Sequence, residues 1–250
     1  MNRGRFSDKV ALITGASSGL GRACALKLLS EGAQVLAVAS SAEKLQQLQN
    51  EAGSERLAHF ACDVSQADNC QKAVAAAVAQ FGKLDILLNV AGVHRFSHTH
   101  SISAEDWQQD LAINLNAPFF LSQAAIPALL KTHGNIVNVG SLASSQGQPY
   151  SATYCAAKHG LIGLTRALAL EYINSGLRVN AVCPGGMNTP QIQNIAFADD
   201  MDFDLIMRSG TARGFMEAED VANTIAFLAS DEARAVHGAV YNVDQGRTID

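Results

Sequence analysis

The sequence predicts an α/β fold, a single domain built on a doubly wound parallel sheet of about seven strands with helices on both faces. Two observations favour this class: short apolar runs alternate with longer helical patterns along the whole chain, and most of those runs are continuously apolar. Such runs are typical of strands buried on both faces of a parallel sheet. The 250 residues, 48% of them apolar, supply one core, and no linker or repeat divides them. We therefore expect one domain over residues 1–250.

The apolar runs and the helical patterns between them place the elements in order. We predict strands over residues 10–14, 35–39, 58–62, 86–89, 136–139, 179–182 and 240–243. Helices are predicted over residues 20–30, 42–51, 66–81, 104–130, 153–173 and 217–229. This βαβ alternation implies right-handed crossovers and a Rossmann-type sheet.

One segment, at about residues 188–214, departs from the alternation. Its stretch PQIQNIAFADDMDFDLIMRSGTARG is too long for a plain connection. Long connections in compact domains are often lids or binding loops. We predict a substrate lid here, with a surface excursion of no function as the alternative.

Composition excludes several classes of function. The net charge of −5 and the pI near 5.8 argue against nucleic acid as a partner, because neutralising phosphates needs clustered Lys and Arg. No uncharged run reads as a membrane span, and no signal segment precedes the first strand. The five cysteines form no CxxC pair, which is typical of reduced thiols in a cytoplasmic protein. The histidines at 94, 98 and 100 lack a second cluster at metal-ligand spacing, so no metal is expected.

A glycine-rich turn follows the first strand and opens the first helix. Residues 14–21 read Thr-Gly-Ala-Ser-Ser-Gly-Leu-Gly, with GxxxGxG spacing. Glycines at this place let the backbone turn tightly, let a pyrophosphate approach the amides and let the helix pack on the strand. The turn predicts a dinucleotide site whose residues here are Gly15, Ser17, Ser18, Gly19, Leu20 and Gly21.

The end of the second strand bears on the choice between NADP and NAD. An acidic side chain there would bind the ribose hydroxyls and repel a 2′-phosphate. The chain has Ser40 and Ser41 at this point, with no carboxylate and no Arg. Two hydroxyls can donate to a 2′-phosphate, so we predict NADP as cofactor, with NAD as the alternative.

A tyrosine and a lysine form the candidate catalytic pair. Tyr154 and Lys158 lie four residues apart in a helical segment, so their side chains emerge on one face. A phenol with a pKa of about 10 is a poor acid–base at neutral pH, but a nearby ammonium favours the phenolate and lowers that pKa. Ser141 follows the fifth strand, and Asn114 lies inside the long fourth helix, where a buried Asn needs partners. Ligands bind beyond the carboxyl ends of the strands in such a sheet.

At this point the sequence resembles the short-chain dehydrogenase/reductase family, in its compact single-domain branch, and is similar to members of the 3-oxoacyl-acyl-carrier-protein reductase type. The resemblance covers essentially the whole chain. The motifs that carry it, in order, are TGASSGLG at 14–21, NVAG at 89–92, Asn114, Ser141, YCAAK at 154–158 and PGGMNT at 184–189. NVAG departs from the commoner NNAG, at an Asn that largely braces the strand.

The resemblance implies a mechanism and a set of binding residues. Tyr154 exchanges a proton with the substrate oxygen, Ser141 donates a hydrogen bond to that oxygen, and Lys158 binds the nicotinamide ribose. Asn114 holds a water that relays protons past Lys158. The implied cofactor contacts further along the chain are Asp63 and Val64 at the adenine, Asn89, Ala91 and Gly92 at the ribose, and Thr189 at the carboxamide, with Pro184 and Gly185 beside it.

The substrate is left open by the sequence. Candidate pocket residues are His94, Gln148 and Met187, together with Arg95, Phe96 and Gln146. The apolar lid with an acidic rim fits a neutral, partly apolar small molecule. Residues 170–175 carry no basic side chain, which argues against acyl chains on an acidic carrier protein. A ketone, sugar, steroid or cyclic alcohol fits, and the alternatives are an NAD-dependent dehydrogenase that works mainly in oxidation, or a non-catalytic dinucleotide sensor.

The low charge content predicts a buried interface. Only 16% of residues are charged, against roughly 25% in ordinary domains. The Tyr154 helix carries small residues at Ala156, Gly160, Gly163 and Ala167, and the helix over 104–130 carries Trp107, Leu111 and Leu115 on one stripe. Small residues allow a second backbone to come close, so we expect these helices to join copies of the chain into a homotetramer.

Overall fold

The fold is taken from a computed structural model that describes residues 4–210 and 213–249. Residues 1–3, 211–212 and 250 lie outside the described residues, so the predicted domain over 1–250 and the predicted lid over 188–214 each include positions of which nothing is said.

Seven parallel strands form one sheet in the described part of the chain. They are β1 (Val10–Thr14), β2 (Gln34–Ala39), β3 (Leu57–Ala61), β4 (Ile86–Asn89), β5 (Asn135–Val139), β6 (Arg178–Pro184) and β7 (Val240–Val243). Their order in the sheet is β3-β2-β1-β4-β5-β6-β7. The direction of winding reverses between β1 and β4, where a doubly wound sheet opens its binding crevice. The predicted fold class is confirmed.

Helices cover both faces of the sheet. The main ones are α1 (Gly19–Ser30), α2 (Ala42–Ala52), α3 (Ala67–Phe81), α4 (Ala104–Leu111), α5 (Ala117–Thr132) and α6 (Ala152–Glu171). The segment predicted as a lid contains the short α7 (Pro190–Gln193) and α8 (Phe203–Met207), and α9 (Ala218–Ala229) precedes β7. One apolar cluster joins α1, α2 and α9 to one face, and a second joins α3, α5 and α6 to the other. Most predicted boundaries agree within two residues.

The single helix predicted over 104–130 is wrong in one respect. A π-helical turn, Ala112–Asn116, interrupts it between α4 and α5. Pro118 has no N–H to donate to the Asn114 carbonyl, so the regular α-helical bond is lost at this turn. A π-turn adds a residue to the helix and redirects its side chains, which is why such turns are frequent at functional sites.

The two edge strands differ from the predicted continuous apolar pattern. β3 runs over Leu57–Ala61 rather than 58–62, and four of its five residues are at least partly exposed. β7 is half-exposed along its length. Each edge strand pairs on one side only, because β2 and β6 are their single neighbours in the sheet.

The continuous helical stretch Ala104–Thr132 is long and apolar enough, by length and composition alone, to cross a membrane. Sequence inspection picked out no such span. Leu121, Ala125 and Leu129 of this stretch are buried in the core against the sheet. The stretch is therefore weak evidence for a membrane and matches the core helix of a soluble protein.

Candidate active site

The glycine-rich turn between β1 and α1 forms a cradle with no room for side chains. Gly15 has a φ of +67°, and a Cβ on Gly21 would lie 2.3 Å from the Gly15 carbonyl oxygen. The Thr14 hydroxyl accepts the N–H groups of Val90 and Ala91, at 3.0 and 3.1 Å. This bond fixes the cradle against the loop after β4. The backbone amides of the turn and the start of α1 are thus presented for a pyrophosphate, which fits a dinucleotide.

A cavity of about 430 Å³ opens beside this cradle. Its lining is Ser17, Ser18, Gly19, Arg22, Lys44, Gln47, Asn188, Pro190, Glu217, Ala218 and Glu219. Arg22 comes from α1 and Lys44 from α2, and Arg22 also pairs with Glu51. Sequence reasoning missed both cations because it examined only the end of β2, whereas helix geometry brings them to the cavity from more distant positions.

The serines after β2 and the acid after β3 engage nearby backbone. The Ser41 hydroxyl caps α2 by accepting the N–H of Lys44 at 3.3 Å. The Asp63 carboxylate accepts the N–H of Ser65 at 2.9 Å and its hydroxyl at 2.8 Å. Val64 is buried, and Ser40 is exposed.

The cofactor contacts predicted at the ends of β4 and β6 have different surroundings in the structure. Asn89 is buried, and its Nδ2 donates to Asn138 Oδ1 at 2.8 Å, so its side chain braces β4 against β5. A Cβ on Gly92 would lie 3.0 Å from Asn114 Oδ1 and 3.6 Å from Lys158 Nζ, so this glycine keeps space at the centre of the site. At the end of β6, Pro184 closes the strand and Gly185 donates its N–H to the Val243 carbonyl at 2.9 Å.

Thr189 lies against the glycine cradle. It is buried, and its methyl group is 3.4 Å from the Cβ position of Gly19. Leu20, also buried, begins the apolar face of α1. The structure thus brings Thr189 to the turn that the sequence assigns to the dinucleotide.

Tyr154 and Lys158 share a face of α6, as predicted. The Lys158 ammonium donates to the Val139 carbonyl at 2.8 Å and lies 5.6 Å from the centre of the Tyr154 ring. Lys158 is 3% exposed. The pair therefore stands at the carboxyl end of β5, where an open sheet binds its ligands.

The pKa values of this pair are set mainly by burial. Burial raises the pKa of Tyr154 to about 12, while a hydrogen bond with Ser141 lowers it. Burial also lowers the pKa of Lys158 to about 8. This differs from the expectation that the ammonium lowers the pKa of the phenol, because desolvation is the largest effect on that pKa and the ammonium is directed at the Val139 carbonyl. The neutral phenol, which is the proton-donating form, is favoured.

Asn114 and Ser141 complete the predicted group. Asn114, fully buried in the π-turn, accepts the Val93 N–H at 3.1 Å and donates to the carbonyls of Val93 and Asp110 at 3.0 Å each. Its side chain thereby ties the loop after β4 to the π-turn. The Ser141 hydroxyl accepts the Ala143 N–H at 3.2 Å, and the interaction of Ser141 with the Tyr154 phenol lowers the pKa of that phenol.

Of the candidate pocket residues, His94 contacts Tyr154 directly. Its ring stacks on Tyr154 with the ring centres 4.1 Å apart. His94 also lines a second cavity, of about 350 Å³, with Arg95, Phe96, Ser97, Gln191, Asn194, Ile195 and Ala196. Met187 instead pairs with Met216 in an isolated bridge and packs against the core. The Gln148 backbone donates to Cys155 Sγ, and neither Gln148 nor Met187 lines this cavity.

In the segment predicted as a lid, three described residues contact the loops beside this second cavity. Phe96 contacts Phe197 with the ring centres 5.0 Å apart, and His98 Nε2 lies 3.0 Å from the Asp200 carboxylate. The Tyr150 hydroxyl accepts the N–H of Asp202 at 3.0 Å. Among the described residues, no group of three His, Cys, Asp or Glu side chains is placed to hold a metal ion.

A buried network beside the site had no sequence signal. Asp110, one turn before Asn114, is 3% exposed and contacts Arg95 and Thr153. An acidic residue in a helix is ordinarily expected to be exposed to solvent. The structure shows instead that the partners of Asp110, Arg95 and Thr153, are the chain neighbours of His94 and Tyr154.

Comparisons with known proteins agree with this arrangement. A family model described as enoyl-(acyl carrier protein) reductase matches residues 15–248. D-threitol dehydrogenase of Mycolicibacterium smegmatis is 38% identical over 98% of this chain and 95% of its own length. The 3-oxoacyl-acyl-carrier-protein reductase of Thermotoga maritima is 36% identical over 98% of this chain and all of its own length. The crystal structure of a dehydrogenase/reductase from Sinorhizobium meliloti 1021 superposes with a TM-score of 0.87 at 31% identity, covering 97% of this chain and 96% of that one.

Proposed function

Because this chain belongs to the short-chain dehydrogenase/reductase family of oxidoreductases, we propose that it interconverts a ketone and a secondary alcohol with a nicotinamide dinucleotide, and that Tyr154 is the acid–base. The observation that carries the proposal is the grouping of Tyr154 with Lys158 and Ser141: the Lys158 ammonium lies 5.6 Å from the centre of the Tyr154 ring, and Ser141 lowers the pKa of the phenol. The turn after β1 adds a glycine cradle with no room for a Cβ at Gly21.

Each residue of the site has its own role in the proposed reaction. Tyr154 donates its proton to the carbonyl oxygen in reduction and accepts it back in oxidation. Ser141 donates a hydrogen bond to the same oxygen and so stabilises the charge that develops there. Lys158 holds a positive charge at the end of β5, where it binds ribose hydroxyls. When bound, the nicotinamide ring supplies the hydride for reduction or accepts it in oxidation.

Asn114 and its neighbours keep this geometry in place. Both polar groups of the Asn114 side chain are engaged with Val93 and Asp110, which holds the loop after β4 beside Gly92. The proton relay through a water at Asn114, which the family resemblance implies, remains a prediction. A solvent isotope effect on kcat that disappears in the Asn114→Ala variant would support it.

We propose NADP rather than NAD as the preferred dinucleotide. Support comes from the lack of a carboxylate at Ser40 and Ser41, and from Arg22 and Lys44 in the wall of the cradle cavity. Cations and hydroxyl donors stabilise a 2′-phosphate, whereas an acid at the end of β2 would repel it. Glu217 and Glu219 line the same cavity, so its lining combines the cations Arg22 and Lys44 with two carboxylates. We propose that the 2′-phosphate binds at the cations. A ratio of kcat/KM for NADPH over NADH below one would overturn this preference.

The substrate we propose is a small, neutral ketone or secondary alcohol. The second cavity has the aromatic rings of His94 and Phe96 on one side and the amides of Gln191 and Asn194 on the other. Arg95 is already paired with two carboxylates, so a substrate carboxylate gains little from it. D-threitol, the substrate named for a relative, is a small polyol with two secondary alcohols and has this character.

The proposed assembly is a homotetramer in the cytoplasm. Gly163 has open space at its Cβ position on an exposed face of α6, and Trp107 and Phe119 are exposed on α4 and α5. Gly160, in contrast, has Leu115 3.1 Å from its Cβ position, so this pair is used within the chain and not between copies. A tetramer mass by light scattering is expected, and a monomer mass at micromolar concentration would refute the assembly.

The function is tested by a panel of ketones and alcohols with NADPH, NADH and their oxidised forms. We expect turnover of small ketones and secondary alcohols by the wild-type protein and none by Tyr154→Phe. Turnover of no compound in the panel by the wild-type protein, with intact dinucleotide binding, would favour a sensor.

A further inference from the structure

We propose that His94 is a positioning residue for Tyr154, and that a clamp formed by Arg95, Asp110 and Thr153 holds the two rings against each other. The inference rests on the proposed role of Tyr154 and adds two residues, His94 and Asp110, that set the orientation of its phenol. The clamp joins the loop after β4, α4 and the first turn of α6.

The first observation is the ring stack itself. The His94 and Tyr154 rings have their centres 4.1 Å apart and an angle of 19° between their planes. Two rings at this distance and angle restrict each other's rotation. One face of the Tyr154 ring is therefore covered by His94.

The imidazole is anchored on its far side. His94 Nε2 lies 2.9 Å from the Ser151 hydroxyl oxygen, and that hydroxyl donates its own proton to the Pro149 carbonyl. The contact therefore holds the plane of the imidazole ring.

The imidazole is neutral at physiological pH. Burial, followed by the charge of Lys158, lowers the pKa of His94 to about 4. A neutral ring in this place neither competes with Tyr154 as a proton donor nor repels Lys158. Its contribution is thus geometric rather than acid–base.

The second observation is the clamp that joins the two segments carrying these rings. Thr153, next to Tyr154, donates its hydroxyl to Asp110 Oδ2 at 2.8 Å. Arg95, next to His94, places Nη1 3.3 Å from Asp110 Oδ1. One carboxylate therefore links the chain neighbours of both rings.

Because the Asp110 carboxylate is buried, it depends on both of its partners. Asp110 is 3% exposed, and a buried carboxylate is strongly unfavourable once either partner is removed. Its main-chain carbonyl also accepts Asn114 Nδ2 at 3.0 Å. Displacing Asp110 would thus disturb the surroundings of Asn114 and Tyr154 together.

The chain supplies a matched control for the clamp. Arg95 Nη1 also lies 3.2 Å from Asp106, whose side chain is 60% exposed. An exposed ion pair is screened by water and contributes little. Asp106→Asn removes this exposed carboxylate and leaves the pair between Arg95 and the buried Asp110 carboxylate intact.

The experiment compares His94→Ala, His94→Phe, Thr153→Val, Arg95→Met and Asp106→Asn in the full chain. We expect kcat to fall roughly three- to tenfold in His94→Ala, with the KM for the dinucleotide unchanged, because a stacked pair has about that effect on an orientation equilibrium. His94→Phe keeps a ring and should retain kcat within about twofold. Thr153→Val and Arg95→Met should lower kcat, and Asp106→Asn should not. His94→Leu, which fills the space without a ring, replaces the alanine variant if that variant fails to fold.

A readout independent of turnover is the titration of His94 by NMR, its signal assigned by its loss in His94→Phe. In the wild-type protein His94 should titrate near pH 4. In Thr153→Val and Arg95→Met the midpoint should rise toward the ordinary value of about 6.5, because release of the clamp admits water to the stack.

Several results would overturn the inference. They are an unchanged kcat in His94→Ala and His94→Leu, a kcat in His94→Phe as low as in those variants, or an unchanged His94 titration in both clamp variants. The proposed function fails separately, by turnover in Tyr154→Phe. An inactive Tyr154→Phe beside a fully active His94→Ala would overturn the positioning role alone.

Discussion

The replacement Gly21→Ala tests the glycine cradle most sharply. A Cβ at this position would lie 2.3 Å from the Gly15 carbonyl oxygen and 2.5 Å from its carbonyl carbon. Real Cβ atoms do not approach such atoms closer than about 3.0 Å, so the turn must move by about 0.7 Å. Both contacts are backbone atoms, and no side chain can rotate out of the way.

The magnitude follows from two opposing effects. Overpacking of this kind destabilises by about 1–3 kcal/mol, and an alanine in a helix recovers up to about 1 kcal/mol. We expect a net loss of about 1–2 kcal/mol, which lowers the Tm of a chain of this size by about 2–8 °C. A displaced turn also misaligns the amides that bind phosphate, so dinucleotide affinity should fall tenfold or more.

The assay pairs thermal unfolding of the protein alone with dinucleotide titration by fluorescence. Gly147→Ala is the matched control, because nothing lies within 4 Å of its Cβ position in an exposed loop. That variant should keep both the Tm and the affinity of the wild-type protein. Wild-type values in Gly21→Ala would refute the assignment of the turn as a tight phosphate cradle.

Three further predictions follow from the site. Ser40→Asp places a carboxylate at the end of β2, so the ratio of kcat/KM for NADPH over NADH should drop at least tenfold in steady-state assays; an unchanged ratio would contradict the assigned 2′-phosphate side. Between pH 6.5 and 4 the native state binds fewer protons than the unfolded chain, because the folded pKa of His94 is about 4. The free energy of unfolding should therefore fall by up to about 3 kcal/mol on acidification, and urea titrations of His94→Phe should lack this part of the loss. Asn114→Ala leaves the Val93 N–H and two carbonyls without their partner and should lower the free energy of unfolding by about 1–3 kcal/mol, whereas a wild-type value would show that this amide does not hold the loop.

The fold could be predicted from the sequence because the signals for its strands and helices are local and repeated. Apolar runs such as β1 and β2 are buried on both faces, and periodic helices separate them. The edge strand β3 followed the pattern less well, because only one side of it is paired. The π-turn at Asn114 was not predicted, since its cause is the joint effect of a proline four residues later and distant partners on Val93.

Part of the site could also be predicted from the sequence, because its signals are local. Tyr154 and Lys158 share a helix, so their spacing alone brings them to one face. The Arg95–Asp110–Thr153 clamp joins three separate segments, and no spacing along the chain encodes it. Met187 was grouped with the predicted lid, and in the structure it forms a bridge with Met216 and packs, partly buried, against the core; its contact with a substrate stays a prediction.

The proposed role of Tyr154 as proton donor and acceptor is tested by comparing Tyr154→Phe with the wild-type protein. Turnover of the best ketone from the panel and the dinucleotide Kd are measured for both. We expect turnover to fall by at least a thousandfold with a Kd within about threefold of wild type, because only the phenolic hydroxyl is removed. Turnover within tenfold of wild type, at unchanged Kd, would contradict it.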